Sequence, residues 1–418
     1  MNAGCLDALA AFERRLSPDA AAPVAAAFSG GGDSLAALLA AKAWSERVGR
    51  RLVALHVDHR LQPASADWAG FAAETAARLG VEFRRLVWAG EKPASGIAAA
   101  ARAARHRLLA NAARALGARV IVFGHTADDI LEAELMRSWG AGLGALKEWS
   151  PSPVWPEGRE VFALRPLLHA RRAELRQALS ARGERWIDDP ANLDPRQARA
   201  RARQSLAGGG EPGRPPEDDR EAARLADAAQ ALPGGALRFD RRALDEAGAG
   251  SVRRVVAAAS LSVGGGTQPP RGARLEALAA RLRGGAVFRT ALRGARIIAD
   301  QDEVLFARDA GEVRRGGLAA LALEPGQLSV WDGRFELVAA RGGLTVQPLA
   351  GLAARLPAAE RSALRALPAA ARPGLPALVD ANGAVTCPVL AGGAATARAL
   401  VQARFRAASG AISKEPAA

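Results

Sequence analysis

Cysteine is almost missing: Cys5 and Cys387 are the only two in 418 residues. That excludes a disulfide framework, a cysteine-built zinc site and any chemistry that needs several thiols. Tyrosine is absent, and Lys42, Lys92, Lys147 and Lys414 are the only lysines among 57 basic residues. Codon bias toward arginine accounts for that replacement. It does not account for the formal net charge of +14, which suits a polyanionic partner such as nucleic acid. No run approaches the ~20 apolar residues of a membrane span. Asp7, Glu13, Arg14 and Arg15 interrupt the stretch where a signal peptide would stay apolar, so a cytoplasmic protein without membrane contact is expected. The hydrophobic content of 49% is ample for real cores, and the length calls for two or three domains.

Apolar runs alternate with Ala- and Leu-rich segments over the first two hundred residues. Val24–Phe28, Leu52–His59, Val81–Trp88, Ala118–His125 and Val161–Leu164 read as buried strands. Leu35–Trp44, Ala66–Leu79, Gly96–Leu116, Asp128–Ser138 and Arg171–Arg182 read as helices. Such alternation implies βαβ units and a doubly wound parallel sheet, with sites gathered at the carboxyl ends of its strands. A Gly/Pro/charge-rich stretch interrupts the chain at 207–222 and reads as a linker. The expected plan is an α/β catalytic domain over 1–206 and an α+β domain over 223–308. A β-rich region with a disordered tail follows over 309–418, with a tight hairpin at Asp332-Gly333.

The run Ala25–Leu39 reads AAAFSGGGDSLAALL, with three glycines, an acid and a hydroxyl between strand and helix. Glycines let backbone N–H groups converge on an anion, and the helix N-terminus adds positive potential. The stretch is neither G-x-x-x-x-G-K-[ST] nor G-x-G-x-x-G. Ser29, Gly30, Gly31, Gly32, Asp33 and Ser34 instead form S-G-G-x-D-S, which resembles the signature of PP-loop ATP pyrophosphatases. That resemblance implies a Rossmann-like fold, ATP as co-substrate, and a loop that binds the leaving pyrophosphate.

Four further segments, in order, are similar to tRNA(Ile)-lysidine synthetases: 55–80, 96–109, FGHTADDILEAELMRSWGAGLGAL at 123–146, and 164–203 with its R-P-L-L and DDPANLD stretches. The match is looser over 261–308. The resemblance implies a ligase of the tRNA-modifying kind. ATP would adenylate C2 of the wobble cytidine in the CAU-anticodon isoleucine tRNA, and the ε-amine of free L-lysine would displace AMP. On that reading Asp33 holds Mg²⁺ on the β/γ-phosphates and Arg105 faces the α-phosphate. Asp129 and Glu132, three apart on a helix, bind the lysine ammonium or a metal. Arg199, Arg201 and Arg203 would bind tRNA. Asp128 reads as the cap of its own helix, His125 as a neighbour of the nucleotide, and His106 and His169 as structural or surface residues. Thr126, His106, Ala133 and Ala200 depart from common family residues. A tRNA thiolase or a glutaminase-type synthetase would need cysteines that this chain lacks. The oligomeric state stays open.

Overall fold

A computed structural model describes residues 3–189, 194–206, 211, 213, 215–315 and 318–417. The chain divides into two compact units, 1–218 with 413–418, and 219–412.

The first unit runs α1 (Ala3–Arg15), β1 (Val24–Ala27), α2 (Gly32–Val48), β2 (Leu52–Asp58), α3 (Ser65–Arg78), β3 (Glu82–Val87) and α4 (Ile97–Ala115). It continues with β4 (Val120–Val122), α5 (Ala127–Ser138), β5 (Trp149–Pro151), β6 (Phe162–Leu164), α6 (Arg172–Ala181) and α7 (Ala198–Ser205). The sheet order is β3-β2-β1-β4-β6-β5. Every pairing is parallel except that of the edge strand β5, which returns antiparallel to β6. β5 is three residues long and ends in a proline, too short to stand out in the sequence. The strand order reverses direction between β1 and β4, which opens a crevice at their carboxyl ends. SGGGDS leaves β1 there, and Gly124-His125 leaves β4.

Small residues set the depth of that crevice. β1 is Val-Ala-Ala-Ala, and Ala25 and Ala26 are buried. Ala25, Val53, Leu55, Ile121 and Ala163 pack with Leu109 and Ala113 of α4 on one face of the sheet. α2 is closed at its C-terminus by Gly49 at φ +72°, the left-handed conformation a glycine takes without strain.

The expected disordered tail is not disordered in this structure. Glu415 is buried and accepts hydrogen bonds from Nη1 and Nη2 of Arg50 at 2.6 and 2.9 Å. Its own N–H donates to the Arg15 carbonyl at 2.7 Å. A buried guanidinium needs a buried counter-charge, and the tail supplies it.

The second unit starts with a helix, Arg220–Ala228, whose N-cap Asp219 accepts from the Ala222 N–H at 2.9 Å. Regular structure thus begins inside the stretch expected as a linker; 207–210, 212 and 214 lie outside the described residues. A five-stranded antiparallel sheet (230–308) packs on the buried helix Ala249–Gly264. Sheets of four and three strands follow. The Asp332-Gly333 hairpin forms between Leu328–Trp331 and Phe335–Ala339, with both turn residues at positive φ. The expected division near 308 separates two cores but not two compact units. Val401 and Phe405, from the helix Val401–Ser409, return to the core built from 222–306.

Candidate active site

The loop after β1 folds on its own hydroxyls. The Ser29 N–H donates to Ser34 Oγ at 3.2 Å, the two hydroxyls lie 3.1 Å apart, and Ser34 Oγ donates to the Gly31 carbonyl at 2.8 Å. Gly30 sits at φ +88°, and a Cβ there would stand 2.6 Å from Ile187 Cδ1. The Trp186 ring lies 3.4 Å from where a Cβ on Gly32 would stand, and the Ile187 N–H donates to the Gly30 carbonyl at 2.9 Å. The glycines therefore accommodate both a left-handed turn and a wall of side chains. Among the described residues no acceptor is paired with the N–H groups of Gly32, Asp33 and Ser34, the first three of α2. Converging free amides at a helix N-terminus are an anion cradle.

A cavity of about 430 Å³ opens over this cradle. Ser29, Gly31, Gly32, Asp33, Ser34, Arg105, His125, Asp129, Arg172, Arg199 and Arg203 line it. The acidic side is built by α5. Asp129 Oδ2 accepts from the Thr126 N–H at 2.8 Å and from Thr126 Oγ1 at 3.0 Å, which caps that helix. Asp128, expected as the cap, instead reaches across to α6. There it accepts from the Arg172 N–H at 2.7 Å and pairs with the Arg171 guanidinium at 3.2 Å. Thr126 and Asp129 already satisfy the start of α5, so Asp128 is left to the neighbouring helix end.

Arg172 is the residue that sequence reasoning missed. Its Nε donates to Asp33 Oδ2 at 2.8 Å, its Nη1 to Glu132 Oε1 at 3.1 Å, and its Nη2 lies 3.5 Å from Asp129 Oδ2. From α7, Arg199 Nε approaches Glu132 Oε2 at 3.1 Å and Arg203 Nε donates to Glu132 Oε1 at 2.9 Å. The three arginines expected at tRNA therefore divide. Arg199 and Arg203 turn inward to the acids, whereas Arg201 is exposed and donates to the carbonyls of Pro195 and Arg196. Arg172 carries no signal of its own in an arginine-rich stretch, because only the fold packs α6 on α2 and brings its N-terminus to that of α5. Asn192 and the rest of 190–193, which belong to the DDPANLD stretch, lie outside the described residues.

The field follows from this packing. Burial pushes the Asp33 carboxyl upward against the pull of Arg172, and among the described residues the buried Asp33 Oδ1 has no hydrogen-bond partner. Burial also opposes charge on Asp129, but the surrounding cations and the Thr126 N–H hold it below the usual carboxylate range. Burial, with Arg102 and Arg199 nearby, pushes Arg105 down to about 10, so it stays charged at neutral pH, and its Nε has no hydrogen-bond partner among the described residues. His56, His59, His106 and His125 are all held toward the neutral form, chiefly by burial. The His56 Nδ1–H donates to the Phe28 carbonyl at 3.0 Å. His56 therefore props the end of β1 at the cavity wall.

Residues 7–208 match the family model of the PP-loop domain. The tRNA(Ile)-lysidine synthase of Caulobacter vibrioides is 48% identical over 413 residues, spanning 97% of this chain and 98% of its own. That of Rhizobium meliloti is 36% identical over 349 residues, 77% of this chain and 74% of its own. That of Mesorhizobium japonicum is 35% identical over 360 residues, 79% and 76%. No helix among the described residues is long and apolar enough to cross a membrane.

Proposed function

The chain belongs to the tRNA(Ile)-lysidine synthase family, and from that premise we propose that it ligates free L-lysine to C2 of the wobble cytidine in the CAU-anticodon isoleucine tRNA. ATP is consumed to AMP and pyrophosphate, through an adenylated cytidine, and the place of work is the cytoplasm. One observation carries the reading: the anion cradle and the buried Asp129 of α5 open on a single cavity that Arg105 also lines, with Glu132 one helical turn behind Asp129.

The free amides at the start of α2, with Ser29 and Ser34, take the β- and γ-phosphates. Arg105, charged and without an acidic partner among the described residues, faces the α-phosphate, where charge builds as C2–O attacks. Asp33 has a buried, unpartnered Oδ1, and no cluster of three metal-binding side chains exists among the described residues. That fits an ion held by one carboxylate and the phosphates. Mg²⁺ at Asp33 would offset the charge of the leaving pyrophosphate.

Asp129 and Glu132 hold the lysine ammonium. Lysine's reference pKa of ~10.4 leaves roughly one molecule in a few thousand as free amine at pH 7, so the nucleophile needs a carboxylate close by to take its proton. A metal at these two acids is the alternative assignment; the three arginines already on them favour a cationic ligand of the same kind.

The test is nucleoside analysis by mass spectrometry. CAU-anticodon isoleucine tRNA, incubated with the protein, ATP and lysine, gains lysidine at the wobble position. An unmodified tRNA with ATP, Mg²⁺ and lysine all present would refute the assignment.

A further inference from the structure

Arg172 spans the cavity. Its planar fork bonds Asp33 in the phosphate cradle at one edge and Glu132 on α5 at the other, with Asp129 alongside. Its side chain is largely buried, and the carboxylates raise its pKa against the burial that lowers it. A guanidinium is rigid, so its Nε cannot leave Asp33 without disturbing the bonds made by its Nη atoms. Arg172, Arg199 and Arg203 also match Asp33, Asp129 and Glu132 in number, which makes the cluster formally neutral. A neutral cluster offers little net attraction to an incoming ammonium, and Glu132 Oε1 already accepts from both Arg172 and Arg203.

On the reading of Asp129 and Glu132 as the lysine-binding acids, we propose that Arg172 couples the two substrate sites, so that ATP binding opens the acids to lysine. A triphosphate in the Ser29–Ser34 cradle places strong acceptors beside Asp33. The guanidinium turns toward them and leaves Glu132 Oε1, which then keeps only Arg203 Nε and can accept from the ammonium beside Asp129. The nucleotide binds the turned arginine better than the bridging one, and that difference is the source of the coupling. Lysine then binds weakly to the free enzyme and tightly after ATP, which keeps the amine out until the nucleotide that activates the cytidine is in place. Arg172 is a positioning residue in this scheme: it acts through the acids.

Linkage makes the effect reciprocal. Lysine affinity is measured by calorimetry with and without α,β-methylene-ATP, with CAU-anticodon tRNA present throughout. In the wild type the analogue should tighten lysine by about tenfold or more, and lysine should tighten the analogue by the same factor. In Arg172→Gln lysine should bind without the analogue nearly as well as with it, the coupling falling below about twofold. Where that variant fails to fold, Arg172→Lys carries the test. It keeps the charge but cannot bridge both edges, and its coupling should fall at least threefold. Wild-type coupling in the folded Arg172 variant, or no coupling in the wild type, overturns the proposal. If lysine binds in no arm while the analogue binds normally, the lysine assignment itself fails and takes the coupling with it.

Discussion

The carbonyl oxygen of Asp33 lies 2.3 Å from where a Cβ on Gly124 would stand, and the Asp33 carbonyl carbon lies 2.6 Å away. The turn after β1 and the turn after β4 therefore meet backbone to backbone, and the cradle is held in place from the strand beside it. Backbone cannot swing aside as a side chain can. Gly124→Ala must then displace the Asp33–Ser34 peptide. The expected result is loss of pyrophosphate release by at least a hundredfold with far-UV circular dichroism unchanged. Near-normal turnover in Gly124→Ala would show that the cradle does not depend on this contact.

Glu132 is 1% exposed and meets Arg172, Arg199 and Arg203. If it also receives the lysine ammonium, Glu132→Ala should raise the KM for lysine roughly ten- to a hundredfold, as loss of a charge-assisted hydrogen bond of ~1.5–3 kcal/mol requires. The KM for ATP should change far less. Equal rises in both would assign Glu132 to a metal or to the frame of the site.

The divided fates of Arg201 and Arg203 give a matched pair. Arg201 is exposed, so replacement by Gln should weaken tRNA binding and flatten its log–log salt dependence by roughly 0.7–0.9. Arg203→Gln should leave that slope alone and lower turnover instead, because Arg203 is spent on Glu132. Identical salt slopes for wild type and Arg201→Gln would remove Arg201 from the tRNA surface.

His106 is buried against Phe123, with Arg105, Arg102 and Arg165 near it and Nε2 unpartnered among the described residues. Burial pushes its pKa down to about 3, whereas in the unfolded chain it titrates near ~6.5. The unfolded state thus binds the proton between these values, and stability falls as pH drops below the unfolded pKa. Between pH 7 and pH 5 the loss from this one group is on the order of 2 kcal/mol. His106→Phe should remove part of it, so the fall in Tm over that interval should be smaller than in the wild type. An unchanged acid limb would mean that the imidazole is not desolvated.

The sequence reveals what local physics controls. The strands β1 to β4 and helices α2 to α5 are readable from runs and periodicity, and the cradle from six consecutive residues. The hairpin is readable from Asp332-Gly333, because its turn demands positive φ at two neighbours. What stayed hidden depends on distant packing. Asp128 looks like a cap until α6 arrives with an unsatisfied N–H. Arg199 and Arg203 read as tRNA-binding arginines until Glu132 is found beside them. Arg172 is one arginine among many until its three carboxylates, drawn from α2 and α5, surround it. The closing tail is invisible for the same reason: Glu415 is ordered by Arg50, 365 positions away.

The central claim is that the loop from Ser29 to Ser34 runs ATP cleavage for a tRNA ligation, and pyrophosphate release tests it most directly. The wild type, supplied with ATP, Mg²⁺, lysine and CAU-anticodon isoleucine tRNA, should release pyrophosphate and AMP in equal amounts, and only when the tRNA is present. Asp33→Asn, which keeps the shape of the side chain and removes its charge, should abolish that release while the protein stays folded. Normal pyrophosphate release by Asp33→Asn, or release by the wild type that ignores tRNA, would contradict the account.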